Sequence, residues 1–166
     1  MRKAIFIDRD GTINSDAGHY YIYKPEDFKL NPGVGEGLKL LQDVGFLIIV
    51  ITNQGGVAKG EYTISDVEKV HLEMRNQLKK FGISLTEIYY CPHHSDIQRC
   101  LCRKPGNLNI EKAISRFRID RAQSYMIGDS ERDMQAGQKS KLRCIKISTN
   151  ADLLPVCQEI LDEHRA

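Results

Sequence analysis

The chain has 166 residues, 41% hydrophobic and 28% charged, with a formal net charge of +2. That is one soluble globular domain with room for a full core and no bulk attraction to nucleic acid or an anionic membrane. The longest purely apolar run, Phe46–Ile51, is far too short to cross a bilayer, and Ala4–Ile7 is too short for the core of a secretion signal, so a cytoplasmic protein is expected.

The first element is informative. Ala4-Ile5-Phe6-Ile7 reads as a buried strand and runs without a spacer into Asp8-Arg9-Asp10-Gly11-Thr12. Carboxylates at the C-terminal end of such a strand stand where open α/β sheets keep their ligands. Two of them so close repel each other unless a cation is present. A hard divalent ion such as Mg²⁺ meets that need, and one carboxylate can then attack phosphorus. A solvated acidic turn is the alternative for these five residues.

Asn31-Pro32-Gly33 predicts a helix start with Pro32 near the first helical position, a run through Leu38, Leu41 and Val44, and a stop at Gly45. Gly35 and Gly37 weaken that helix. Phe46–Ile51 is a β-branched central strand leading into Thr52-Asn53-Gln54-Gly55-Gly56, a polar turn whose hydroxyl, amides and backbone N–H groups can cradle a phosphate. Ser65-Asp66-Val67-Glu68 has capping-box spacing and opens a helix with Val67, Val70, Met74, Leu78 and Phe81 on one face, ending at Gly82. A strand follows at Glu87–Tyr90, a helix at Leu108–Phe117, a strand at Ser124–Ile127 and a helix after Asp129. Arg143–Ile147 is the fifth strand and Leu153–Leu161 the final helix. Strands alternating with helices predict a doubly wound α/β domain over residues 1–166, a mostly parallel five-stranded sheet with helices on both faces. No insertion exceeds a modest loop, so no separate cap domain is expected.

Between the third strand and the next helix, Cys91-Pro92-His93-His94 and Cys100-Leu101-Cys102 crowd into one loop. The i, i+2 spacing puts each pair on one side of an extended segment, and three thiolates with one imidazole suit a closed tetrahedral Zn²⁺ site. The reading is a structural zinc loop, about residues 91–105, with Cys91, His93, Cys100 and Cys102 as ligands, His94 as the spare, and Arg103-Lys104 held in place by the metal. Three reduced thiols in a polar loop are the alternative. Cys144 and Cys157 stand apart and read as small buried hydrophobes.

Taken together, Asp8-x-Asp10-Gly11-Thr12, Thr52-Asn53, Lys104 and Gly128-Asp129-x-x-x-Asp133 resemble the four motifs of the haloacid dehalogenase superfamily of phosphotransferases, in order and each after a strand. The resemblance implies Asp8 as the nucleophile and Asp10 as the acid and base. It implies Thr52 and Lys104 as stabilisers of transition-state charge, and Mg²⁺ on Asp8, Asp129 and the Asp10 carbonyl. Asp133 is left as a metal ligand, a group reaching the metal through water, or a helix cap. The zinc loop resembles those of two related phosphatase families, acting on D-glycero-D-manno-heptose 1,7-bisphosphate and on histidinol phosphate. Thr52–Gly60, Tyr89–His94 and Tyr125–Asp129 are closer to the first. That likeness implies substrate contacts at Asp16, His19, Asn53, Gln54, Gly55 and Arg103, a small phosphorylated sugar as substrate, no nucleic acid or membrane partner, and a monomer. A polynucleotide 3′-phosphatase and a non-catalytic zinc-stabilised interaction domain are the remoter readings; Tyr20, Tyr21 and Tyr23 bear on the former, and the presence of Asp8, Asp10 and Asp129 argues against the latter.

Overall fold

A computed structural model describes residues 1–166. Five parallel strands, β1 (Ala4–Ile7), β2 (Leu47–Asn53), β3 (Glu87–Cys91), β4 (Tyr125–Gly128) and β5 (Arg143–Lys146), form one sheet in the order β3-β2-β1-β4-β5. Five helices connect and flank them: α1 (Val34–Asp43), α2 (Ile64–Lys79), α3 (Leu108–Phe117), α4 (Glu131–Lys139) and α5 (Leu154–Arg165). From β1 the chain builds outward through β2 and β3, then returns to place β4 on the other side of β1. The order therefore reverses between β1 and β4, where open α/β sheets leave a crevice for ligands.

The side-chain alternation of β1 divides the core into two layers. Ile5 and Ile7 pack with Ile48, Val50, Leu38, Val70 and Ile160, so α1, α2 and α5 cover one face. Ala4 and Phe6 pack with Ile49, Ile51, Ile110, Ala113 and Ala136, so α3 and α4 cover the other. Because both faces are covered, β1 and most of β2 are apolar at every position, as central parallel strands are.

The helix boundaries correct several expectations. α1 begins at Val34, with Gly33 as its N-cap in the left-handed region, so Pro32 lies outside the helix. Gly35 and Gly37 do not interrupt it, because they are where neighbours approach closely. A Cβ at Gly37 would come 2.7 Å from Cys157 Sγ on α5, and one at Gly35 would run into the Phe81 ring. The capping box of α2 starts two residues before the expected one: Thr63 caps and Asp66 reciprocates, with Ser65 inside the helix. Phe81 lies beyond α2 and is 40% exposed, so it is not part of the buried stripe. Of the two isolated cysteines, Cys157 is fully buried and Cys144 only half-buried.

Candidate active site

Asp8, Asp10, Asp16, His19, Thr52, Asn53, Gln54, Gly55, Arg103, Lys104 and Asp129, the residues singled out from the sequence for catalysis and substrate binding, all line one cavity of about 400 Å³ at the C-terminal strand ends. Asp8 follows β1, and its N–H donates to Ile127 O of β4 at 3.0 Å. Lys104 Nζ donates to Asp8 Oδ1 at 2.7 Å, to Asp133 Oδ1 at 2.6 Å and to Ile51 O at 2.7 Å. Its side chain is only 3% exposed. Burial alone would pull the lysine down, but the Asp8 and Asp133 charges outweigh it and raise its pKa. Asp8 is driven upward, first by burial and then by the Asp133 charge, against the pull of Lys104.

The charge balance of this group fits a divalent cation. Asp8, Asp129 and Asp133 offer carboxylate oxygens within 4.8 Å of one another, and the ion pairs among them come from Lys104 alone. Three carboxylates share one ammonium, an excess of acid that a hard divalent ion with oxygen ligands relieves. Asp133 is committed elsewhere: Oδ1 accepts from Lys104, and Oδ2 accepts from Ser130 N at 3.1 Å and Ser130 Oγ at 2.9 Å, closing the capping box of α4. Its place is thus a helix cap that also orients Lys104.

Asp10 is held on both carboxylate oxygens. Oδ1 accepts from Arg9 Nε at 3.0 Å and Asn14 Nδ2 at 3.0 Å, and is ion-paired with Arg9 Nη2 at 2.9 Å. Oδ2 accepts from Gln54 Nε2 at 3.1 Å. Arg9 is fully buried, with Nη2 donating to Ile22 O at 2.7 Å and Nη1 3.2 Å from His71 Nε2. Gln54 also donates to Thr52 Oγ1 at 2.9 Å and accepts from Tyr62 OH at 2.7 Å. These shared partners lock Asp10 and Gln54 together in the wall of the cavity that Asp8 also lines. Sequence reasoning missed Arg9, Asn14, Tyr62 and His71. Arg9 carries the one available signal, a charge between two acids directly after a buried strand.

The loop after β3 reaches the site from behind. Asn53 spends its amide on it: Nδ2 donates to Lys104 O at 3.0 Å and Oδ1 accepts from Lys104 N at 2.9 Å. Arg103 Nη1 donates to His93 O at 3.1 Å and lies over Gly55, where a Cβ would come 2.7 Å from that nitrogen. The ligand atoms of Cys91, His93, Cys100 and Cys102 lie within 4.8 Å of one another, with His93 Nδ1 at 3.4 Å from Cys91 Sγ and 3.3 Å from Cys102 Sγ. Metal–ligand bonds of about 2.0–2.3 Å set tetrahedral edges of roughly 3.5 Å, so the donor set suits Zn²⁺, as do these distances and the 3.6 Å from Cys91 Sγ to Cys100 Sγ, while Cys91 Sγ and Cys102 Sγ at 2.8 Å stand closer than such an edge. His94 stays outside the group and accepts from Asp96 N at 3.1 Å.

The fifth strand end also contributes, which the sequence reading had left out. Thr149 Oγ1 donates to Asp129 Oδ2 at 2.9 Å, and Asn150 bonds Asp16. A buried carboxylate beside a lysine, a second carboxylate in a fixed pose and a carboxylate set for a divalent ion define a site for displacement at phosphorus.

Comparison with known proteins leads to the same place. A HAD-hydrolase-like family model matches residues 101–156. D-glycero-beta-D-manno-heptose-1,7-bisphosphate 7-phosphatase of Haemophilus ducreyi is 40% identical over 148 residues, covering 86% of this chain and 80% of its own. D-glycero-alpha-D-manno-heptose-1,7-bisphosphate 7-phosphatase of Photorhabdus laumondii is 37% identical over 154 residues, covering 89% and 83%. The crystal structure of D,D-heptose 1,7-bisphosphate phosphatase from B. bronchiseptica, complexed with magnesium and phosphate, superposes with a TM-score of 0.82 at 27% identity, covering 97% of this chain and 99% of that one. The chain belongs to the heptose-1,7-bisphosphate 7-phosphatase family of HAD-like hydrolases. It is a phosphoric monoester hydrolase.

Proposed function

We propose that the protein removes the C7 phosphate of D-glycero-D-manno-heptose 1,7-bisphosphate, a step in nucleotide-activated heptose synthesis for surface polysaccharide. The observation that carries the reading is the Lys104–Asp8 pair, 2.7 Å apart in the cavity at the sheet's switch point. Asp8 Oδ attacks phosphorus, and the bond from phosphorus to the C7 oxygen breaks as Asp10 gives that oxygen its proton. Asp10 then takes a proton from water while the water oxygen attacks the aspartyl-phosphate, releasing inorganic phosphate and restoring Asp8. Lys104 and Thr52 offset charge on the phosphoryl oxygens. Arg9, Asn14 and Gln54 hold Asp10 on the leaving-group side. Asp8, Asp129 and the Asp10 carbonyl would hold Mg²⁺, which supplies charge neutralisation between carboxylate and phosphate when bound.

The sugar end lies toward Asp16, His19, Asn53, Gln54, Gly55 and Arg103, with Zn²⁺ on the Cys91–Cys102 loop fixing Arg103 and Lys104. The cation set of the rim suits a second phosphate: Arg103 keeps donors free beyond its bond to His93, while Lys59 is paired with Asp96 at 3.1 Å. The reading includes a monomer acting in the cytoplasm, where free thiols such as the five here persist; no helix is long and apolar enough to cross a membrane. The deciding experiment is phosphate release from heptose 1,7-bisphosphate and from histidinol phosphate side by side, with Mg²⁺ and with EDTA. We expect a Mg²⁺-dependent preference for the heptose of orders of magnitude in kcat/KM. A preference for histidinol phosphate overturns the substrate.

A further inference from the structure

Asn150 lies in the connection between β5 and α5, in the left-handed region with φ 61°. Its N–H donates to Gly11 O at 2.8 Å, which anchors it to the turn that carries the two catalytic aspartates. Its side chain is spent chiefly on Asp16. Nδ2 donates to Asp16 Oδ1 at 2.9 Å, and Oδ1 accepts from Asp16 N at 3.2 Å and from Asn31 Nδ2 at 3.4 Å. One amide thus grips both the carboxylate and the main chain of Asp16.

Asp16 opens a flap whose residues Ala17–Tyr20 are exposed, Tyr20 to 88%. The other hydrogen bonds of Asp16–Tyr20 are local, Ala17 N donating to Ser15 Oγ and His19 N to Asp16 O, and beyond them His19 Nδ1 only approaches Asp27 Oδ2 at 4.0 Å. Such a stretch has neither ladder nor helix to restrain it, and its order must come from a few side-chain anchors. Asp16 and His19 nevertheless line the active-site cavity, and Asp16 Oδ2 has no protein partner. A non-Gly residue at positive φ is uncommon, and Asn is among the types that tolerate it; here it is also the type that can donate and accept at once.

We propose that Asn150 is a positioning residue that clasps the flap in its substrate-receiving pose and leaves Asp16 Oδ2 free to accept from a sugar hydroxyl. The inference rests on the substrate reading above for the identity of that hydroxyl, not for the clasp. Fixing the acceptor before binding spares the substrate the cost of ordering the flap, so the effect falls on binding of polyol phosphates rather than on the chemical step.

The test uses Asn150→Gly, which keeps the backbone conformation and deletes the amide, and Asn150→Asp, which faces Asp16 with a like charge. Amide hydrogen exchange over residues 15–20 is followed without substrate. KM and kcat are followed for heptose 1,7-bisphosphate and for 4-nitrophenyl phosphate, which has no hydroxyls to offer the flap. Asn150→Gly is expected to speed flap exchange and raise KM for the bisphosphate about 10-fold, through the loss of the two hydrogen bonds to Asp16, with kcat within about 2-fold and 4-nitrophenyl phosphate turnover unaltered. Asn150→Asp is expected to exceed it. Unchanged exchange overturns the clasp, as does a parallel loss on both substrates, the mark of a merely structural role. If the unmutated enzyme fails on the bisphosphate, the substrate reading falls, and the exchange data still decide the clasp.

Discussion

Asp8 shows how the site trades stability for chemistry. It shares Lys104 with Asp133 in a pocket where its side chain is 13% exposed, and two carboxylates on one ammonium are costly out of water. Asp8→Asn is expected to abolish turnover, because the amide is a poor nucleophile. It should leave the melting temperature at or above that of the unmutated protein, because Lys104 and Asp133 then form a balanced pair. Phosphate release and thermal unfolding measured together check both halves; retained activity would sink the covalent mechanism. Thr149 acts one step out. Its hydroxyl fixes Asp129 Oδ2, and groups that orient a metal ligand commonly matter 10–100-fold to metal affinity. Thr149→Val should therefore weaken Mg²⁺ binding about 10-fold, read by calorimetric titration without substrate. Asp8, Asp10 and Asp129 were legible in the chain because each stands just after a strand in a recognisable motif, and Lys104 because it follows the cysteine pair of its loop. Thr149 and Asn150 were not, since a Ser-Thr-Asn-Ala-Asp run reads as an ordinary polar turn until β5 is known to pair with β4.

The cysteine loop is an element without secondary structure of its own between Cys91 and Leu108. Its order comes from the Cys/His cluster on one side and the Asn53–Lys104 bonds on the other. Cys102→Ser removes one ligand of the cluster, and metal binding of this kind is coupled to folding of the segment that supplies the ligands. The variant is expected to lose zinc, melt earlier and bind phosphate more weakly as Lys104 loosens, measured by metal analysis, thermal melts and product inhibition. Unchanged zinc content and melting temperature would disprove the assignment. The capping boxes show why boundaries were harder to read than elements. Thr63 and Ser65 each precede an acid by three residues, and the pattern cannot choose between them. The structure chooses Thr63, whose hydroxyl accepts from Asp66 N at 3.2 Å.

The assembled protein adds a pH dependence that no single motif contains. His71 of α2 is 5% exposed, beside the Arg9 guanidinium and the Tyr90 ring, with Asp10 and Arg75 nearby. Burial first, and then the Arg9 charge, lower its pKa to about 3 from an ordinary 6.5. The folded chain keeps the ring neutral while the unfolded chain protonates it below 6.5. Stability is therefore intact above that value and falls as the pH drops toward 3, by about 2 kcal/mol between pH 7.5 and 5. Denaturant unfolding of the protein and of His71→Gln at both values checks this: the variant should lose about 2 kcal/mol less over the same interval. Equal losses would show that His71 is not the group responsible. How much the chain announced in advance follows from the range of the forces involved. The strand and helix order, the two-sided sheet and the four motifs rest on local periodicity and on short spacings after strands, so they are written along the sequence. The Gln54 contact of Asp10, the Lys104 contact of Asp133, the close helix contacts at Gly35 and Gly37 and the grip of Asn150 on Asp16 join residues 29 to 134 positions apart. Such contacts exist once the sheet and its helices have packed together, and partners chosen by proximity in space leave no periodic trace in the chain that supplies them.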